Sequence, residues 1–97
     1  MALEIYWTQR AKEGLESVVH YLEESWTQKE ILNLESNLNK LLENIVEYPE
    51  ICPKTSKQKN IYKGLIDKNN YLIYKYKPRK KVVEIINFRG TKQKPSI

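Results

Sequence analysis

The sequence predicts an α+β fold in the order β-α-α-β-β-β, with a helical hairpin packed on a small antiparallel sheet. Apolar residues recur at helical spacing in the first half of the chain, whereas short runs of β-branched and aromatic residues follow in the second half. The segments between the later runs are short and rich in Asn, Asp, Pro and Lys, which favours hairpin turns. A length of 97 residues suits one domain, which we place over residues 1–97.

The first half of the chain predicts one short strand and two helices. The strand is LEIYW, residues 3–7, which is rich in β-forming side chains. Thr8 follows as a candidate N-cap, and apolar residues then recur at steps of three and four as far as Trp26. A second helix begins at the capping box TQKE, residues 27–30, and its leucine-rich stripe ends before Pro49. Two stripes this close together predict an antiparallel helical hairpin.

The second half predicts three strands behind a basic loop. The loop is PEICPKTSKQKN, residues 49–60, and the strand candidates are IYKGLI, YLIYKY and KVVEIINF. DKNN, residues 67–70, and KPRK, residues 77–80, are the predicted turns between them. Turns this short make consecutive strands antiparallel neighbours. We expect the helices to cover one face of the sheet and to leave the other face open.

Composition restricts the classes of function. The chain has 17 Lys and Arg against 12 Asp and Glu, a formal net charge of +5. This excess favours a polyanion or an acidic protein segment as partner, or it simply keeps a small protein soluble. The single cysteine, Cys52, allows neither an internal disulfide nor a cysteine-based metal site. Since no signal peptide and no bilayer-spanning run are visible, we expect a cytoplasmic protein without membrane association.

The candidate functional residues are cations and tyrosines of the second half. His20 is the single histidine and has no neighbours at metal-ligand spacing, so we predict no metal site and no cofactor. Lysines interleaved with tyrosines suit phosphate binding and base stacking, but they equally suit the protection of strand edges. Arg89 ends the apolar run VVEIINF, and Gly90 after it would permit a sharp turn. Its guanidinium is suited to binding a phosphate or carboxylate, or to an ion pair with a helix carboxylate.

Four segments carry a resemblance to a known family. They are IYWTQRAKEGLESVVHYLEESW, LLENIVEYPEICP, NIYKGLIDKNNYLIYKY and VVEIINFRGTKQKP. In order and spacing, these segments resemble the RelE/ParE superfamily, the toxins of bacterial type II toxin–antitoxin (plasmid stabilisation) modules. The resemblance implies a growth-inhibiting protein that a cognate antitoxin neutralises. RelE-like members cut messenger RNA on the ribosome, whereas ParE-like members inhibit DNA gyrase.

The resemblance also implies a site. By position, Lys63 and Arg89 would bind the scissile phosphate in the ribonuclease branch. The candidate residues for binding nucleic acid or another target are Lys54, Lys57, Lys59, Lys63, Tyr74 and Arg89. The residues after Arg89, GTKQKPSI, include no His or Tyr to transfer a proton. We therefore favour a non-catalytic ParE-like inhibitor of DNA gyrase. The alternatives are a RelE-like ribosome-dependent endoribonuclease and a non-toxic basic nucleic-acid-binding module, so whether the protein is an enzyme stays open.

Overall fold

The computed structural model describes residues 3–25, 28–55 and 60–90 of the chain. Its elements are β1 (Glu4–Trp7), α1 (Gln9–Ser25), α2 (Gln28–Glu47), β2 (Ile61–Leu65), β3 (Asn70–Lys77) and β4 (Val82–Gly90). Their order is the predicted β-α-α-β-β-β, which confirms the α+β fold class. Neither helix, over its described residues, has the length and apolar character needed to cross a membrane.

The four strands form one mixed sheet in the order β1-β4-β3-β2. β2, β3 and β4 are antiparallel neighbours, as the short turns predicted. β1 instead lies parallel to β4, so the antiparallel arrangement holds for three strands and not for the whole sheet. A parallel pair needs a long connection between its two strands. The helical hairpin and the first two strands of the meander provide that connection here.

Thr8 links β1, α1 and β4, and it confirms the predicted N-cap. Its hydroxyl oxygen accepts a hydrogen bond from the Ala11 amide at 3.2 Å and donates one to the Ile85 carbonyl at 2.9 Å. The Thr8 amide donates to the same carbonyl at 3.1 Å. The start of α1 is therefore tied to β4. The capping box predicted for the second helix includes Thr27, which lies outside the described residues.

The core lies between the helical hairpin and the inner face of the sheet. Helix side chains that are almost fully buried include Ala11, Val18, Leu34 and Ile45. The strands contribute Leu72, Tyr74, Val83, Ile85 and Phe88, each no more than 2% exposed. Burial of these side chains supplies the main favourable term for folding. Neither of the two described helices covers the opposite, outer face of the sheet.

Candidate functional site

A β-bulge in β4 decides where Arg89 lies. Ile73 of β3 pairs with Asn87, but the next residue, Tyr74, pairs with Ile85, so Ile86 is an extra residue in β4. Strict alternation from the buried Ile85 would place Arg89 on the inner face. The bulge reverses the alternation, so Phe88 is buried and Arg89 is exposed on the outer face.

Lys63, Tyr71 and Arg89 lie side by side on that outer face, and we call them the cationic row. Tyr71 of β3 stands directly opposite Arg89 of β4. From the other side, the Lys63 ammonium lies 4.3 Å from the centroid of the Tyr71 ring, a cation–π contact. Lys63 pairs with Ile73, two residues along β3 from Tyr71, so it lies diagonally across the sheet from Arg89, and the backbones carrying the two cations are about 12 Å apart. Both cations can therefore reach one anionic group above the tyrosine.

The cationic row is not neutralised by the acidic side chains that the structure describes. Further along the outer face, Lys77 forms an ion pair with Glu84 at 3.3 Å. In the described ranges, neither Lys63 nor Arg89 has a carboxylate partner within ion-pair distance. The alternative interpretation of Arg89 as the partner of a helix carboxylate therefore finds no support there. Within the described part of the chain, the two positive charges of the row are therefore not compensated by a carboxylate.

The basic loop approaches the cationic row along the outer edge of β2. Lys54 is exposed, and its backbone forms an antiparallel bridge with Tyr62. The Lys63 amide donates to the Pro53 carbonyl at 2.9 Å, so this part of the loop is fixed beside Lys63. Lys57 and Lys59 lie outside the described residues. Their contribution to the site stays a prediction.

Tyr74, which we predicted as a target-binding residue, lies in the core on the opposite face. Its side chain is 0% exposed, and its ring stacks on that of Tyr62 with centroids 5.2 Å apart. The hydroxyl donates to the Pro49 carbonyl at 2.7 Å, which fixes the end of α2 to the sheet. Burial raises the pKa of Tyr74 well above its ordinary value, and the neighbouring Cys52 adds to the rise. This placement separates Tyr74 from Lys63 and Arg89.

We expect Tyr74→Phe to lower the free energy of unfolding by about 1–2 kcal/mol at neutral pH, because the Pro49 carbonyl loses its donor. Because the pKa of Tyr74 is raised in the folded protein, its contribution to the free energy of unfolding depends on pH. Folded Tyr74 stays protonated where the unfolded residue ionises, so its stabilisation is complete below about pH 10 and is lost above it, by about 1 kcal/mol per pH unit. Urea unfolding between pH 7 and 11 should show the wild type approaching Tyr74→Phe at high pH. Tyr6→Phe, at an exposed tyrosine, is the control, and a constant difference across this pH range would contradict the assignment.

Gly90 and Tyr71 are two further residues at which the structure goes beyond the interpretation of the sequence. Gly90, which would permit a sharp turn, instead continues β4 and pairs with Asn70. Tyr71 was not among the predicted site residues. Alternation within β3 could have indicated it, since Tyr71 adjoins the apolar Leu72 and must face the other side. The described residues contain no cluster of three or more His, Cys, Asp or Glu side chains that could hold a metal ion.

Comparison with solved structures defines the class of fold. The isolated E. coli RelE toxin superposes with a TM-score of 0.67 at 21% identity, over 96% of this chain and 88% of that one. The RelBE2 toxin–antitoxin complex of Mycobacterium tuberculosis gives 0.65 at 12% identity, over 93% of this chain and 99% of that one. A YoeB/ParE toxin from Agrobacterium tumefaciens gives 0.65 at 13% identity, over 91% and 98%. The arrangement of two helices on a mixed four-stranded sheet is thus that of RelE-like toxins.

Comparison of the sequence with family models narrows this class. The model of the ParE toxin of type II toxin–antitoxin systems, parDE, matches residues 5–95. The chain therefore belongs to the ParE toxin family, within the RelE/ParE superfamily that the sequence resembled. No significant match is found among curated proteins.

Proposed function

We propose that this toxin inhibits DNA gyrase by binding it through the outer face of the sheet, without catalysing a reaction. The observation that carries the proposal is the chemistry of that face. The cationic row offers two positive charges and a tyrosine ring, whereas the nearby carboxylate of Glu84 is held by Lys77. The single histidine of the sequence, His20, lies instead on α1, exposed and 3.4 Å from Glu24. Such a surface suits binding to an acidic target better than proton transfer.

A second candidate function is ribosome-dependent cleavage of messenger RNA. It is favoured by the position of Lys63 and Arg89 on either side of Tyr71. Two cations from neighbouring strands can bind a scissile phosphate and stabilise the charge that builds on it, while a tyrosine ring can stack on a base. A lysine would then have to take the role of proton donor or acceptor.

A cognate antitoxin is the partner that the comparisons support. A chain of the E. coli RelBE toxin–antitoxin complex superposes on this chain with a TM-score of 0.66, at 22% identity. We infer that a cognate antitoxin neutralises this toxin through an acidic or amphipathic segment that folds on binding. The net charge of +5 favours such a partner.

Two assays on the same preparation should distinguish the candidates. We expect the purified toxin to inhibit supercoiling by gyrase and to leave ribosome-bound messages intact, as judged by primer extension. Addition of the antitoxin should restore supercoiling. New 5′ ends on ribosome-bound messages with unaffected supercoiling would instead establish the ribonuclease. Salt-sensitive binding to nucleic acid without growth inhibition would favour the non-toxic binding module.

A further inference from the structure

The turn between β3 and β4 carries a dense positive charge. The segment KYKPRKK, residues 75–81, has five cations among its seven residues, and we call it the basic turn. The cations are Lys75, Lys77, Arg79, Lys80 and Lys81. Together with Asn60, residues 75–80 line an open depression of about 370 Å³. None of the five cations belongs to the cationic row, so the site described above gives them no role.

The backbone of the basic turn is held in one shape by its own hydrogen bonds. The Lys80 amide donates to the Lys77 carbonyl and the Lys81 amide donates to the Pro78 carbonyl, each at 3.2 Å. Lys81 then adopts a left-handed conformation, with a φ of 55°, as the chain enters β4. Glycine or asparagine takes this conformation at a lower cost than lysine does. The positive charge of Lys81 therefore gives a reason for its presence that the backbone does not.

The carboxylates near this end of the sheet are fewer than the cations. Glu84 forms the ion pair with Lys77 at 3.3 Å. Glu4 is exposed on β1, where it pairs with the first residue of β4. Glu47 and Glu50 lie on the other side of the sheet, at the end of α2 and just after it. Even against all four of these carboxylates, the described residues of the basic turn keep an excess of positive charge, which attracts a polyanion.

The chemistry of the depression favours a duplex over a single strand. Single-stranded nucleic acid is bound by aromatic rings that stack on its bases. Tyr76, an aromatic residue that lines the depression, is partly buried and packs against the core, so its ring is not free to stack. Cations on a short turn can bind backbone phosphates, which carry no sequence information. Duplex DNA presents one negative charge per about 1.7 Å of its axis, which suits the consecutive exposed cations of residues 79–81.

The basic turn and the cationic row lie at opposite ends of the outer face. Side chains alternate along β3, so Lys75 and Lys77 share this face with Tyr71. Lys77 is separated from Tyr71 by about 20 Å along the extended strand. A target protein centred on the cationic row therefore has the basic turn at the border of the contact.

We propose that the basic turn binds the sugar-phosphate backbone of duplex DNA without regard to base sequence. Arg79, Lys80 and Lys81 bind the phosphates, while Lys77 remains paired with Glu84. The inference rests on the proposed function in one respect, because gyrase is what brings a DNA duplex beside the bound toxin. The turn then adds a second contact, which is made to the DNA on which gyrase acts and not to gyrase itself.

Fluorescence anisotropy of the full-length toxin with labelled DNA tests this contact. Two duplexes of about 20 base pairs and of unrelated sequence are titrated at several salt concentrations. For three phosphate contacts, we expect the logarithm of the association constant to fall with the logarithm of the salt concentration at a slope of about −2.7. Binding should therefore weaken about 40-fold between about 50 and about 200 mM salt, equally for both duplexes.

Matched variants locate the contact on the protein. The turn variant is Arg79→Gln with Lys80→Gln. The control is Arg10→Gln with Lys12→Gln, which removes the same two charges from exposed positions of α1. We expect the turn variant to bind at least about tenfold more weakly at about 50 mM salt, with a slope of about −0.9. The control should bind as the wild type does.

Lys81→Gly separates a loss of binding from a loss of folding. Glycine takes the left-handed conformation without the steric cost, so the melting temperature should be unchanged or higher. The salt slope should nevertheless become shallower by about 0.9, because one phosphate contact is lost. A stable Lys81→Gly protein that binds DNA as tightly as the wild type, at every salt concentration, would overturn the proposed contact.

A supercoiling assay on the same preparations separates this inference from the proposed function. If the wild type inhibits supercoiling but binds neither duplex, or if the turn variant binds both duplexes as the wild type does, only the DNA contact is overturned. If the wild type binds DNA through the turn and supercoiling is unaffected, the contact stands and the proposed inhibition of gyrase fails. Single-stranded RNA that displaces the labelled duplex more effectively than unlabelled duplex does would overturn the assignment to duplex DNA.

Discussion

Replacement of Gly14 by alanine is expected to lower the free energy of unfolding by about 3 kcal/mol, although alanine is the better helix former. A Cβ atom at Gly14 would lie 2.2 Å from the carbonyl oxygen of Phe88 and 3.1 Å from its carbonyl carbon. Both are backbone atoms of β4, so no side-chain rotation can relieve the contact. Helix α1 would have to move away from β4, and the packing of Val18 and Phe88 between them would loosen.

Gly64→Ala is the matched control for this prediction. A Cβ atom there would lie 3.2 Å from a terminal methyl group of Leu41 and 3.3 Å from the Cys52 sulfur. These are ends of side chains that can shift by a few tenths of an ångström, so we expect a loss of about 1 kcal/mol or less. Urea unfolding followed by circular dichroism measures both variants. A Gly14→Ala protein as stable as the wild type would show that α1 and β4 are not in such close contact.

Gly14 also shows which parts of the fold the sequence could predict. The helices, the meander and the N-cap at Thr8 follow from local patterns, since side-chain periodicity and capping depend on residues close in sequence. From the sequence, Gly14 appears only as a weak point of the first helix. The structure explains why glycine occupies this position, because a side chain there would collide with the backbone of Phe88, which is far away in the sequence. Contacts of that kind leave no local pattern.

The pairing of β1 also depends on contacts between residues that are far apart in the sequence. The sequence shows a strand at residues 3–7, but it contains nothing that selects β4 over β2 as its neighbour. The choice depends on where the helical hairpin returns the chain and on the hydrogen bonds from Thr8 to Ile85. The parallel edge strand therefore emerges only from the complete three-dimensional arrangement.

The candidate site was partly predictable for a related reason. Arg89 was predicted from its residue type at the end of an apolar strand, and Lys63 was paired with it through the family resemblance; the structure places both on the outer face beside Tyr71. Tyr74 was grouped with them because a tyrosine within a basic segment suits stacking, yet alternation in β3 directs it into the core. The bulge at Ile86 is the decisive feature for Arg89. Nothing in VVEIINFRG marks one of its two consecutive isoleucines as the extra residue.

Arg89→Ala is expected to abolish growth inhibition while the melting temperature changes by no more than about 2 °C. The side chain is exposed and has no ion-pair partner among the described residues, whereas β4 is held by its backbone pairing with β3. Loss of a charged anchor at the centre of an interface weakens binding by about 100-fold or more. The concentration needed for half inhibition of gyrase should rise by a similar factor.

Arg10→Ala is the control for the loss of one positive charge, because Arg10 is exposed on α1, away from the outer face. It should inhibit gyrase and growth as the wild type does. Inhibition by Lys63→Ala should fall between that of Arg89→Ala and that of Arg10→Ala, since the Lys63 ammonium already contacts the Tyr71 ring. If Arg89→Ala lowers stability and toxicity together, Arg89 has a structural role instead. If Arg89→Ala remains fully toxic at unchanged stability, the cationic row is not the surface through which this toxin reaches its target.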